Sequence, residues 1–176
     1  MKNRLIGLAA TVMFATLALV ACTTSTEQGT VGVERKQFLM VSSAQMDKAA
    51  ATQYQKLIQT EGPKGNVNHD PTQTERARGI AKRLIPQTAV FRKDALDWKW
   101  EVNVLTSPEV NAWCMPGGKI AVYTGLIEKL QVTDDELAAV MGHEISHALR
   151  EHGRERASLQ MAAGVGAGLG GARANM

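Results

Sequence analysis

Aromatic residues make up only 5% of the 176, and the charges nearly balance, with 20 basic against 17 acidic side chains. A nucleic-acid surface needs a dense basic patch interleaved with aromatics. No such patch exists here, so no nucleic-acid partner is expected. Cysteine occurs twice, as Cys22 and Cys114. G-x-S-x-G, a glycine-rich phosphate loop and a nearby Cys–His pairing are all missing, which removes the commonest hydrolase and nucleotide-binding rivals. A membrane-spanning helix takes roughly 20 apolar residues. The longest apolar run, Leu5 to Val20, has 16.

What that run resembles is an export signal. Lys2 and Arg4 precede it, small residues follow it, and the chain then turns polar at Thr23. Leu19-Val20-Ala21-Cys22 resembles a bacterial lipobox, which implies cleavage before Cys22 and lipidation of that cysteine. Thr23 rather than Asp then implies sorting to the outer membrane, on its periplasmic face. Residues 1–21 are therefore expected to be a signal peptide, 22–32 a flexible tether rich in Ser, Thr, Gln and Gly, and 33–176 a single folded domain. Loss of Lys2 and Arg4 would leave 18 basic against 17 acidic residues, so the alkaline pI partly belongs to the leader. With Cys22 acylated, Cys114 has no partner for a disulfide.

Periodicity then sets out the domain. Met46, Ala50, Tyr54, Leu57 and Ile58 recur at helical spacing through 44–59, and Ala77, Ile80, Ala81, Leu84 and Ile85 do so through 72–85. EGPKGNVNHDP between them reads as loop. The period changes to two at Trp98, Trp100, Val102 and Val104, a strand with one buried face. A short apolar run at 111–115, a Pro116-Gly117-Gly118 turn, a strand at 119–123 and a short helix at 125–130 follow. Thr133-Asp134-Asp135-Glu136 is a capping box that opens a further amphipathic helix. The expected fold class is α+β, with helices packed on a small, mostly antiparallel sheet and a gluzincin-like helix carrying H-E-x-x-H across it.

That last helix holds HEISHALREH, residues 143–152. Histidines four apart project from one helix face. The ring nitrogens of His143 and His147 can thus reach one Zn2+ at roughly 2.0–2.1 Å, with Glu144 beside them as candidate general base. Zinc lowers the pKa of its water to about 7, so a carboxylate can take the proton and hydroxide can attack a polarised carbonyl. In shuffles of this composition the motif arises in roughly one of 200, so its place on a capped amphipathic helix adds needed weight. His152 falls some 140° around a continuous helix from His147 and about 180° from His143. It therefore faces away from the metal unless the helix breaks, and it is read as structural.

NAWCMPGGKIAVYTGLI followed by TDDELAAVMGHEISHALREHGRER resembles the zinc metallopeptidases of peptidase family forty-eight, which includes the CAAX prenyl proteases, Oma-type mitochondrial proteases and bacterial periplasmic lipoproteins. The likeness extends over about Val33 to Gln160 and is strongest from Asn111 to Arg156. It implies one Zn2+ per chain held by His143 and His147, Glu144 as catalytic base, and a strand at Asn111, Ala112 and Trp113 that borders the cleft and pairs with an extended peptide. Cys114 is then a small buried residue and not a nucleophile. The family's third ligand is a glutamate on a later helix. The last acidic residue here is Glu155, and the stretch from Met161 to Met176 holds none. The expectation is therefore a piece of a longer metalloendopeptidase acting on unfolded or misassembled envelope proteins. The alternatives are a non-catalytic lipoprotein chaperone or scaffold with an incomplete metal site, and a structural metal site closed by His69.

Overall fold

A computed structural model describes residues 22–27 and 35–173 of the protein. The expected signal peptide lies outside the described residues. Of the expected tether, Cys22–Thr23 (β1) pairs antiparallel with Gln37–Phe38 (β2), and the Glu27 amide donates to the Phe91 carbonyl at 2.8 Å. Residues 28–34 are again outside.

Two helices come first, and each is started by a side-chain cap. Ser43–Glu61 (α1) opens on a capping box between Ser42 and Gln45. Pro71–Leu84 (α2) starts where the Asp70 carboxylate accepts the amides of Thr72 and Gln73, with proline at the first helical position, where its missing N–H costs nothing. The loop expected between them contains a 3-10 turn at Gly62–Lys64. Further 3-10 turns, Ile85–Val90 and Lys93–Asp97, carry the chain from α2 to the sheet.

The sheet comprises Glu101–Leu105 (β3), Ala112–Met115 (β4) and Lys119–Tyr123 (β5), in the order β3-β5-β4. β4 and β5 form an antiparallel hairpin across Gly117 and Gly118, whose φ values of +74° and +77° suit glycine. β3, however, runs parallel to β5. The sheet is thus mixed and not mostly antiparallel. β5 enters between its two predecessors and is buried on both faces, so its apolar run carries no alternation from which pairing direction could be read. The strand expected from Trp98 also begins later, at Glu101. Glu101 pairs with Lys119, the first residue of β5, so the residues before it meet the hairpin turn instead of a partner strand. Trp100 donates its indole N–H to the Ala95 carbonyl at 2.8 Å and covers Gly118, where a Cβ would come within 2.6 Å of the ring.

Thr124–Leu130 (α3) and Asp134–Leu149 (α4) follow, then His152–Arg173 (α5). One sheet face packs on α2 and α4. There Ile80, Val104, Ile120, Val122, Leu137, Met141 and Ile145 form the main core. The other face meets α1 through Tyr54, which is fully buried. Its hydroxyl donates to the Ile120 carbonyl at 2.6 Å and accepts from Asn103 at 3.0 Å, tying α1 to both β5 and β3. No helix among the described residues is long and apolar enough to cross a membrane.

Candidate functional site

α4 is fixed before its histidines are reached. Thr133 and Glu136 cap each other reciprocally, with the Thr133 amide donating to Glu136 Oε2 at 2.7 Å. Those bonds hold the Glu136 carboxyl below its usual range. Arg76 of α2 bonds Asp134 and the Val132 carbonyl, each at 2.6 Å. Leu137, Met141, Ile145 and Leu149 are then buried along one stripe. The remaining face, with His143 exposed and Glu144 and His147 half-buried, meets solvent.

His143 and His147 turn their Nε2 atoms toward one point, 3.0 Å apart, with rings nearly perpendicular at 88°. Two nitrogens of a tetrahedral zinc at 2.0–2.1 Å would stand roughly 3.3 Å apart. A few tenths of an ångström of opening would therefore fit the ion, and the donor chemistry, two imidazoles, suits zinc. No third His, Cys, Asp or Glu completes a metal-binding group among the described residues, and His69 does not join the pair.

β4 is an outer strand of the sheet and packs against α4. Asn111 lies just ahead of it, exposed, with its carbonyl accepting the Tyr123 amide at 3.0 Å. Ala112 faces the core, whereas Trp113 turns to the other side, edge-on to Tyr54 with centroids 5.8 Å apart. The Trp113 side chain thus supports the strand from behind. Burial, followed by the field of the Glu144 carboxylate, pushes the Cys114 thiol up to about 12. Cys114 stays protonated and unreactive, and Glu144 faces β4. The opposite flank of α4 carries a cavity of about 470 Å³ lined by Leu84, Phe91, Gly142, Ile145, Ser146 and Leu149, apart from the histidine pair.

The position assigned to His152 needs correction. It assumed one continuous helix, but α4 ends at Leu149 and Glu151 adopts φ +51° before α5 begins. The break swings His152 back, and its Nδ1 sits 2.6 Å from His147 Nδ1. Burial first, with His147 next, holds the His152 pKa below the ordinary imidazole value.

The break is braced on all sides. Glu151 is 8% exposed. It accepts the Ser43 hydroxyl at 2.7 Å and pairs with Arg154 at 2.7 Å and Arg92 at 3.2 Å. Arg92, its guanidinium 5.1 Å above the Trp98 ring, also donates to the Leu149 carbonyl. Gln37 donates to the Arg150 carbonyl at 2.7 Å and to Glu155 at 3.2 Å. The Leu149 and Arg150 carbonyls, at and just past the end of α4, thus have side-chain partners. Nothing in the local sequence marks this bend, because neither glycine nor proline stands at 150 or 151.

The model for Peptidase family M48 matches residues 71–176, well over half of the chain. The mitochondrial metalloendopeptidase OMA1 of Schizosaccharomyces pombe is 30% identical over 122 residues, which is 69% of this chain and 34% of that protein. OMA1 of Arabidopsis thaliana is 51% identical over 53 residues, covering 30% and 11%. The metalloprotease LoiP of Escherichia coli is 38% identical over 65 residues, covering 37% and 24%. The matches thus span between about a tenth and a third of these relatives' lengths.

Proposed function

The chain belongs to peptidase family M48, whose members are metal-dependent peptidases, and we propose that it supplies the catalytic helix and substrate strand of a zinc metalloendopeptidase. The observation that carries this reading is the pair of Nε2 atoms converging on one point from a family-matched helix, with Glu144 between them in sequence. Zinc bound there would polarise the scissile carbonyl and acidify a water.

Each protein group then has one task. His143 and His147 are two of the metal's ligands. Glu144, half-buried and facing β4, takes the proton of the attacking water and returns one to the leaving amine. The outer edge of β4 near Asn111, Ala112 and Trp113 pairs with an extended peptide, so that main-chain hydrogen bonds hold it beside Glu144.

The cellular setting belongs to the same proposal and rests on the leader-like residues 2–23 and on the family resemblance. Lipidation of Cys22 would tether the domain to the periplasmic face of an outer membrane, where unfolded or misassembled envelope proteins are the substrates. In a protein that also carries the third ligand, Glu144→Gln should abolish chelator-sensitive casein cleavage while zinc affinity stays within a few-fold. Cleavage undiminished in that variant would remove Glu144 from the chemistry.

A further inference from the structure

His147 is held by both of its ring nitrogens, and only one proton is available to a neutral imidazole. Nε2 points at His143 Nε2, 3.0 Å away, and Nδ1 points at His152 Nδ1, 2.6 Å away. Each contact needs one donor and one acceptor. A metal ligand must keep its lone pair on the coordinating nitrogen, so a His147 that binds through Nε2 carries its proton on Nδ1. That assignment forces the other: His152 Nδ1 accepts, and its own proton sits on Nε2.

We propose that His152 is a positioning residue, whose Nδ1 accepts the His147 Nδ1 proton and thereby fixes the tautomer and ring plane in which His147 Nε2 offers its lone pair to zinc. The inference rests on the reading of His147 as a ligand. The fold is built to make the contact. A continuous helix would carry His152 about 140° away from His147. The left-handed Glu151 brings it back, in a backbone conformation that disfavours every residue but glycine. Ser43 of α1, Arg92 between two 3-10 turns and Arg154 of α5 hold Glu151 there. Gln37 and Arg35 bind Glu155 one turn into α5, and Ser158 accepts the Met40 amide at 2.9 Å, so the start of α5 is pinned as well. In the metal-free protein the proton order is then fixed along the row. His143 Nε2–H donates to His147 Nε2, and His147 Nδ1–H donates to His152 Nδ1. Metal binding then requires only that the His143 proton pass, through solvent, from its Nε2 to its own Nδ1.

Two measurements test this. Long-range 1H–15N correlation on the metal-free protein should show His147 protonated at Nδ1 and His152 at Nε2. A His147 protonated at Nε2 overturns the proposal, whatever the protein does with zinc. In a zinc titration followed by the histidine Cε1–H signals, His152→Ala should weaken binding by about 10- to 100-fold, the usual effect of losing an outer partner. His152→Asn, whose amide oxygen can stand where Nδ1 does, should recover most of that loss. An Ala variant within twofold of the parent, or an Asn variant no better than Ala, contradicts the assignment. If the parent takes up no zinc, the reading of His147 as a ligand within this chain fails, while the tautomer of His147 still decides the role of His152. Should the Ala variant fail to fold, the Asn variant and the parent tautomer carry the test.

Discussion

Replacing Glu151 separates the two forces that act at the break between α4 and α5. The first is electrostatic. Glu151 is paired with Arg154 at 2.7 Å and Arg92 at 3.2 Å, and the side chains of all three are between 9% and 18% exposed. Removing one member of such a buried group leaves its partners unpaired and costs about 3–5 kcal/mol. The second force is conformational. At φ +51° an L-residue is strained by roughly 1–2 kcal/mol, and glycine is not. Glu151→Ala removes the pairing and keeps the strain, whereas Glu151→Gly removes both. Both variants should therefore lose stability, with glycine ahead of alanine by about 1 kcal/mol once the greater chain entropy of unfolded glycine is set against the relieved strain. Urea unfolding followed by far-UV circular dichroism measures each difference, with unchanged m-values as the check that the same surface unfolds. Alanine equal to or better than glycine would show that the left-handed turn does not persist in solution. A loss under 1 kcal/mol in both would show that the arginines find water or other partners.

Two further substitutions probe the frame around the site. Tyr54→Phe leaves the Ile120 carbonyl without this donor and Asn103 without this acceptor in a buried layer, so it should cost about 1–3 kcal/mol in the same unfolding experiment. Stability within 0.5 kcal/mol of the parent would mean that water replaces the hydroxyl, an order-of-magnitude margin for a substitution without a buried consequence. Asp47 tests the sign of a half-buried charge: partial burial raises its carboxyl above its ordinary range, with Arg92, Glu151, Asp94 and Arg154 nearby. The folded state thus disfavours its charged form, and the penalty is fully present above the folded pKa and gone below the unfolded one. Asp47→Asn should stabilise the protein at neutral pH, with the gain shrinking as pH falls through the carboxyl's raised pKa. A gain independent of pH would assign the effect to packing and not to charge.

Much of the site can be read from the chain because its signals are local. The capping box at Thr133 and Glu136, the stripe from Leu137 to Leu149 and the four-residue histidine spacing all lie within one helix. The hairpin at Gly117 and Gly118 is equally local, since both residues need φ values that glycine supplies. What could not be read depends on contacts distant in sequence. The parallel pairing of β3 with β5 is chosen by which strand enters the centre of the sheet, and a strand buried on both faces has no period to report it. The break after Leu149 depends on Gln37, Ser43 and Arg92, which lie roughly 60–110 positions upstream. Helical spacing alone extends α4 through His152 and puts that histidine on the wrong side. One residue in the left-handed region moves it against His147.

The claim on which the rest depends is that His143 and His147 hold zinc together. Equilibrium dialysis of the protein against buffered zinc, beside His147→Ala, tests it without reference to any substrate. One equivalent bound by the parent and lost in the variant is the expected result. Zinc bound by the variant as tightly as by the parent would contradict it.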